Sequence, residues 1–264
     1  YMGDIPFKNV YYTGIVRDKL GRKMSKSLGN SPDPIELINK YGADGVRVGI
    51  LISSPTGNDL PFDSSQCEQG RNFTNKIWNA FRLVDSWTVN NDLPQPASSK
   101  MAIDWFNAKL NKELQNINEL FDRFKISEAL MATYKLVWDD FCSWYLEMIK
   151  PGYQHPIDKQ TLETTLDFFE KLLKVLQPFT PFVAEELWHL IRERKEGDDI
   201  IIAQWPSVDT SSETILSDFT IAEEVITNIR NIRKKNNIAT KIKMELFVRK
   251  NKEINTDFDC VIVK

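Results

Sequence analysis

A chain of 264 residues, 42% hydrophobic and 27% charged, can build one large domain or two modest ones with a sizeable core, and its balance is that of a folded cytoplasmic protein. The net charge of −3 excludes a global pull toward nucleic acid, so any such contact must come from local patches. Cys67, Cys142 and Cys260 lie far apart without a CxxC neighbour and read as buried thiols in a reducing compartment; with only His155 and His189 beside them, the chain offers no disulfide framework, no metal ligand set and no histidine-based triad.

No apolar run reaches membrane-spanning length, and no charged-then-apolar leader opens the chain. Tyr1-Met2-Gly3-Asp4 runs almost at once into the β-prone stretch Val10-Tyr11-Tyr12. A native amino terminus rarely begins inside an element, so the chain is expected to be a piece of a longer protein.

Residues 9–16 (NVYYTGIV) predict a short buried strand. Residues 17–32 lose all periodicity and collect Gly21, Ser25, Ser27, Gly29, Asn30 and Pro32, which predicts a loop. A helix start follows, with Asp33 as N-cap, Pro34 at the first position and Glu36 three residues after the cap. Gly42 stops that helix, and Ala43 to about Ser53 forms another. Strand, loop and helix in this order fit the edge of an α/β domain.

From Asp63 the pattern is helical. Asp63-x-x-Gln66 caps a long helix to about Val89, with Phe73, Ile77, Phe81 and Val84 at helical spacing. After a linker-like break at 90–99, helices are expected at about 101–122, 126–149 and 158–176, and Thr180-Pro181 opens one to about Arg194. Successive amphipathic helices with no strand between them read as an antiparallel bundle. Residues 199–206 (DIIIAQWP) predict an extended crossing, followed by a helix at about 216–235, a strand Lys241–Val248 and a terminal strand ending at Val263.

The segment that carries chemistry is Gly21-Arg22-Lys23-Met24-Ser25-Lys26-Ser27-Leu28-Gly29-Asn30. Most basic, serine-containing loops are only solvated turns. Here two lysines flank a short polar segment, and glycines on both sides let it hinge, so two ammonium groups and several hydroxyls can be brought onto a triphosphate. Attack on an α-phosphate builds charge on the departing pyrophosphate, and a lysine placed there favours the transition state over the bound substrate.

GRKMSKSLGN resembles the second signature of the class I aminoacyl-tRNA synthetases, with all five core residues matched. The resemblance implies a Rossmann-type catalytic domain whose last strand precedes the loop, and then an anticodon-binding helical bundle. It implies that Lys23 and Lys26 contact ATP phosphates, Lys26 stabilising the pyrophosphate. Ser25 and Ser27 would bond the phosphates or the loop itself, while Met24 anchors by packing. ATP with Mg²⁺ and a tRNA are the implied partners, in a protein that is most often a monomer and works away from membranes.

Pro55-Thr56-Gly57-Asn58-Asp59-Leu60-Pro61-Phe62-Asp63, Gly70-Arg71-Asn72-Phe73, Phe141-Cys142-Ser143-Trp144-Tyr145 and Pro181-Phe182-Val183-Ala184-Glu185-Glu186-Leu187-Trp188 are similar to the valine-specific branch of that family. The isoleucine and leucine branches share parts of these motifs and stay open, as does a stand-alone RNA-binding helical module. The implied division is 1–62 for the end of the catalytic domain with its loop, 63–210 for the bundle and 211–264 for a small α+β segment. The His-Ile-Gly-His-type signature, the valine pocket and the editing domain are not in these residues, and no heptad run announces a coiled-coil arm.

Arg71, Asn75, Trp78 and Arg82 share one side of the long helix and read as a mixed solvated and packing face, with tRNA-backbone contact by the two arginines as the alternative. Trp105, Trp138, Trp144 and Trp188 sit on apolar faces and read as core. Asp139, Asp140 and Glu147 read as solvated helix. Basic residues gather at 17–26 and again at 230–252, where Arg230, Arg233, Lys234, Lys235, Lys241, Lys243, Arg249, Lys250 and Lys252 face only Glu245; the second patch is a candidate track for tRNA phosphates.

Overall fold

A computed structural model describes residues 3, 5–54, 57–209, 213–239, 242, 243, 245, 247 and 258–262. Its helices are α1 (Pro34–Tyr41), α2 (Ala43–Ile52), α3 (Ser64–Asp85), α4 (Ala97–Asp122), α5 (Ile126–Lys135), α6 (Leu146–Ile149), α7 (Lys159–Leu176), α8 (Pro181–Ile191), α9 (Glu213–Lys235) and α10 (Asp259–Ile262). The strands among the described residues are two residues long: β1 (Val16–Arg17) pairs in parallel with β2 (Leu60–Pro61), and β3 (Val89–Asn90) with β4 (Ile157–Asp158). The fold is mostly helical, as the periodicity requires.

Two compact units share the chain. The first holds Tyr1–Ser86, Glu113–Asp139 and Phe169–Ser207, and the second Trp87–Lys112, Asp140–Phe168 and Val208–Lys264.

In the first unit α2 packs on α3, α5 and α8. The α2–α3 crossing is glycine against glycine. A Cβ on Gly70 would lie 2.2 Å from the Gly45 carbonyl oxygen, and one on Gly49 would lie 2.6 Å from the Cys67 nitrogen. Around it, Phe73 stacks on Tyr134 with ring centroids 4.5 Å apart, and Phe121 stacks on Phe179 at 5.8 Å. Trp188 is buried: its Nε1 donates to the Asp198 carbonyl (2.9 Å), and the Arg194 guanidinium lies 3.4 Å over its ring while pairing with Glu170.

Two charged side chains of α2 hold the corner between α7 and α8. Thr180, the N-cap of α8, makes no side-chain cap; the buried Asp44 carboxylate instead accepts from the N–H groups of Phe182 (3.3 Å) and Val183 (2.7 Å). Arg47 Nη2 donates to the Pro178 carbonyl at 3.0 Å. We expect Asp44→Ala to cost about 1–2 kcal/mol, read as a lower urea midpoint. Burial raises the Asp44 pKa, against the two N–H groups and Arg47. A raised folded-state pKa gives stability that is full below the unfolded value and lost as pH rises through the folded one. The deficit of the variant should therefore be largest below about pH 4 and shrink at higher pH. A deficit that grows with pH would contradict this.

In the second unit Phe106 centres an aromatic cluster with Tyr145 (4.9 Å), Phe168 (5.1 Å) and Phe141 (5.3 Å). The buried Tyr145 hydroxyl lies 2.8 Å from Thr165 Oγ1. Thr165 already donates its one proton to the Thr161 carbonyl (2.7 Å), so Tyr145 is the donor. Asp158, also buried, accepts from the Thr161 N–H (2.8 Å) and caps α7. Trp105 packs on Phe219 at 4.1 Å, and Phe219 on Phe258 at 5.3 Å.

Several expectations are corrected. Residues 9–16 are not a buried strand: β1 begins only at Val16, and Val10 (64%) and Tyr12 (78%) are exposed, because β1 finds one partner, β2, among the described residues. The expected helix over 126–149 is continuous, but Leu136–Tyr145 is π-helical. Its buried pairs Leu136/Val137, Phe141/Cys142 and Tyr145/Leu146 recur at five and then four residues. That spacing suits a turn wider than 3.6 residues.

At Arg192 the backbone turns extended and ends α8. Ile200–Ile202 forms a 3₁₀ turn in place of an extended crossing, with only Ile200 of the three buried. Asp259–Ile262 is a short helix where a strand was expected, and Cys260 is exposed. The expected strand Lys241–Val248 falls largely outside the described residues, as do Pro55 and Thr56.

Candidate functional site

The decapeptide leaves β1 as a tight hairpin. Arg17 bridges Lys23, the Asp18 N–H donates to the Arg22 carbonyl (2.9 Å), and the Met24 N–H donates to the Val16 carbonyl (3.1 Å). Gly21 supports the turn with φ +76°. Lys26–Leu28 then makes one 3₁₀ turn, capped by Ser25 Oγ accepting from the Leu28 N–H (3.3 Å) and closed by Gly29 at φ +64°. These two glycines adopt the left-handed conformation at little cost. Gly57 and the other positive-φ glycines lie outside the decapeptide.

Charge is distributed unevenly over this loop. Arg17 pairs with Asp59, Lys19 with Asp63 (3.1 Å) and Arg22 with Asp18 (2.8 Å). Asn30, then the Arg22 contacts, hold the Asp18 carboxyl far below the usual carboxylate range. The Ile15 N–H and then Arg17 lower that of Asp59, and the Ser65 N–H and then Lys19 lower that of Asp63. All three carboxylates are therefore ionised at neutral pH and engaged. Among the described residues no carboxylate pairs with Lys23 or Lys26, and both lysines are exposed.

The four residues singled out from the sequence, Lys23, Ser25, Lys26 and Ser27, all lie on this one short segment between the hairpin and Gly29. Ser25 Oγ and Ser27 Oγ lie 3.1 Å apart, so part of their bonding capacity serves the loop itself. Met24 is half-buried, consistent with an anchoring role. A hollow of about 320 Å³ nearby in the chain is lined by Tyr11, Val16, Ile50, Leu51, Leu60 and Ile126 among others, and by none of the four loop residues. The two lysines are presented on open surface.

Composition alone could not reveal Asn30. Its Oδ1 accepts from the Ser25 N–H (2.9 Å), and its Nδ2 donates to Asp18 (3.0 Å) and to the Lys23 carbonyl (3.2 Å). Nor did the sequence show that Glu185, His189 and Asp199 bring ligand atoms within 4.8 Å of one another. Glu185 Oε1 is already bonded to His189 Nε2 (3.0 Å) and accepts from the Ile200 N–H (3.1 Å), tying α8 to the turn that follows.

Of the other residues weighed, Arg71 pairs with Glu68 (3.3 Å) and lies over the Tyr41 ring, and Arg82 is exposed on α3. Trp105 and Trp188 are core; Trp138 and Trp144 are half-buried, each against aromatic neighbours. In the second basic stretch Arg230 sits over Trp144 at 5.3 Å, and Arg233 donates to the carbonyls of Ala239 and Ile242 (2.9 Å each). Lys241, Arg249, Lys250 and Lys252 lie outside the described residues.

Residues 104–248, more than half of the chain, match the family described as the anticodon-binding domain of tRNA ligase. The chain belongs to that family. Residues 1–63, which contain the loop, match the class I tRNA synthetases of the I, L, M and V group. Over all 264 residues the chain is 54% identical to the valine–tRNA ligase of Parabacteroides distasonis, of which it covers 30%. It is 58% identical over 94% of its length to that of Phocaeicola vulgatus, covering 28% of that protein. The chain therefore spans about 30% of the length of the curated relatives it matches.

The leucyl enzyme of Agrobacterium radiobacter K84, solved in a ternary complex with tRNA and LeuAMS, shares the fold over 77% of this chain and 24% of its own (TM-score 0.56, 22% identity). Membership of the anticodon-binding family accounts for the helical architecture over residues 104–248. Among the described residues no helix is long and apolar enough to cross a membrane.

Proposed function

We propose that this chain is the carboxy-terminal part of a cytoplasmic, monomeric valine–tRNA ligase. In that reading 1–62 is the end of the catalytic domain, 63–210 the anticodon-binding bundle and 211–264 a small segment beyond it. The observation that carries the catalytic half is the charge pattern of the loop. Three of its five cations are neutralised by Asp18, Asp59 and Asp63, and the two left without a carboxylate partner among the described residues are Lys23 and Lys26.

Two exposed ammonium groups on a glycine-flanked turn fit the negative charge of a triphosphate. The same site suits Mg²⁺ less well, since each nearby carboxylate is already paired with a cation. A Mg²⁺ accompanying ATP would be held by the phosphates and by residues outside this chain.

Lys23 then binds ATP phosphates, Lys26 stabilises the charge that develops on pyrophosphate, and Ser25 and Ser27 contribute hydrogen bonds there or within the turn. In the whole protein the valine carboxylate attacks the α-phosphate of ATP, releasing pyrophosphate and leaving valyl-adenylate, and valine then passes to the terminal adenosine of its tRNA with release of AMP. Binding of valine and hydrolytic editing belong to parts outside these residues. Valine activation is the established example of an apolar pocket that rejects an isosteric hydroxyl only weakly, which is why a second, hydrolytic site is required.

The isolated chain should give no valine-dependent ATP–pyrophosphate exchange, while the full-length protein should exchange with valine and charge a valine-accepting tRNA. Exchange by the isolated chain, or full-length charging with isoleucine or leucine in place of valine, would overturn the reading.

A further inference from the structure

The loop has a latch, and it is built from two residues outside the five-residue signature. Asp18 sits at its root with its side chain 12% exposed. It collects the Leu20 N–H (3.0 Å), the Arg22 N–H (2.9 Å), Arg22 Nε (2.8 Å) and Asn30 Nδ2 (3.0 Å). The first three fix the hairpin turn that ends at Lys23. The fourth ties that turn to the far end of the loop, where Asn30 follows the 3₁₀ turn carrying Lys26.

Asn30 completes the tie with its remaining capacity. Its oxygen takes the Ser25 N–H and its second amide hydrogen serves the Lys23 carbonyl, so one side chain grips the backbone on both sides of Met24. Neither lysine's ammonium group is bonded within this network, which Lys23 joins only through its backbone carbonyl; both side chains are carried by it. Water can replace most of these bonds at the surface, so removing them costs the fold little. What it removes is the constraint that fixes where Lys23 and Lys26 stand relative to β1.

We propose that Asn30, acting through Asp18, is a positioning residue for adenylation: the amide–carboxylate latch holds the loop in the shape that presents Lys23 and Lys26 together. The inference rests on the phosphate-binding reading of the loop. Because Asn30 first, and Arg22 with it, holds Asp18 ionised, the latch is a charge-assisted bond throughout the neutral range. Misplaced by a fraction of an ångström, an ammonium group retains its attraction for bound ATP but loses its match to the transition state.

The test uses the full-length synthetase that contains this chain, with four variants beside Lys26→Ala: Asn30→Ala, Asp18→Asn, Asn30→Asp and the swap Asp18→Asn/Asn30→Asp. Two measurements are made: single-turnover adenylate formation across ATP concentrations, and tryptic cleavage at the loop's own sites, Arg22, Lys23 and Lys26. For Asn30→Ala and Asp18→Asn we expect the maximal rate to fall about tenfold while the half-saturating ATP concentration moves about twofold. Loop cleavage should quicken several-fold, with the melting temperature unchanged. Asn30→Asp, which sets two carboxylates against each other, should be the slowest of the latch variants, and the swap should recover rate by restoring one donor to one acceptor.

If Lys26→Ala slows adenylation but Asn30→Ala and Asp18→Asn match the wild type in both measurements, the latch is refuted and the phosphate reading stands. If Lys26→Ala is also silent, the phosphate reading fails and the latch with it. Should Asn30→Ala not fold, Asp18→Asn and the swap decide on the same two measurements; a swap no faster than Asn30→Asp would overturn the proposal.

Discussion

In the full-length protein, on the proposed function, Lys26→Ala should slow adenylate formation by about 100- to 1000-fold while weakening ATP binding far less, the scale seen when one preorganised donor to developing charge is removed. The expectation follows from where Lys26 sits. It opens the 3₁₀ turn Lys26–Leu28, it is exposed, and no carboxylate among the described residues competes for it. A lysine already paired in the ground state would have to surrender that pair to act, as Arg22 would have to leave Asp18. Lys26→Arg keeps the charge but widens the head group, so it should recover only part of the rate. Equal losses in rate and in ground-state affinity would show that Lys26 binds ATP without discriminating in favour of the transition state.

Gly70→Ala should destabilise the first unit by about 2 kcal/mol, with a lower urea midpoint monitored by tryptophan fluorescence. Two effects oppose each other at this position. Alanine in a helix interior is favoured over glycine by about 1 kcal/mol. Against this, the new Cβ would lie 2.2 Å from the Gly45 carbonyl oxygen and 2.9 Å from its carbonyl carbon, backbone atoms that no rotamer change can move aside. Forcing two packed helices apart costs about 3 kcal/mol, so the steric effect wins. Asn79→Ala, on the exposed face of the same helix, meets the propensity effect alone and should stabilise slightly. A Gly70→Ala protein as stable as the wild type would mean that the α2–α3 crossing is looser than its geometry.

Much of the helical part was open to reading because its signals are local. Asp33 does accept from the Ile35 N–H and Pro34 does open α1; Asp63 accepts from the Ser65 N–H at the head of α3. Phe73, Ile77, Phe81 and Val84 are buried at the spacing that named them. Capping and period depend on neighbours within a turn or two, and the sequence holds those neighbours. The reciprocal half of the expected box at α3 is a different matter. Gln66 Oε1 is buried without a hydrogen-bond partner among the described residues, because what surrounds that side chain is set by packing.

Everything that failed depended on residues far away in the chain. NVYYTGIV has strand composition, yet a strand needs partners, and among the described residues only β2 supplies one, over two residues. Thr180-Pro181 does open α8, but the side chain that bonds its first N–H groups is Asp44, separated from it by the whole of α3 to α7. The wide turns of Leu136–Tyr145 follow from which apolar pairs must face the core, a question settled by the helices around it.

The amino-acid order alone determined the helix starts, the apolar stripes and the decapeptide with its two lysines and two serines, since each is written within about ten consecutive residues. The tertiary structure decided which of five neighbouring cations remain available. That selection is made by Asp59 and Asp63 approaching Arg17 and Lys19 from some forty residues downstream, and ion pairing at such separations is fixed only when the backbone closes.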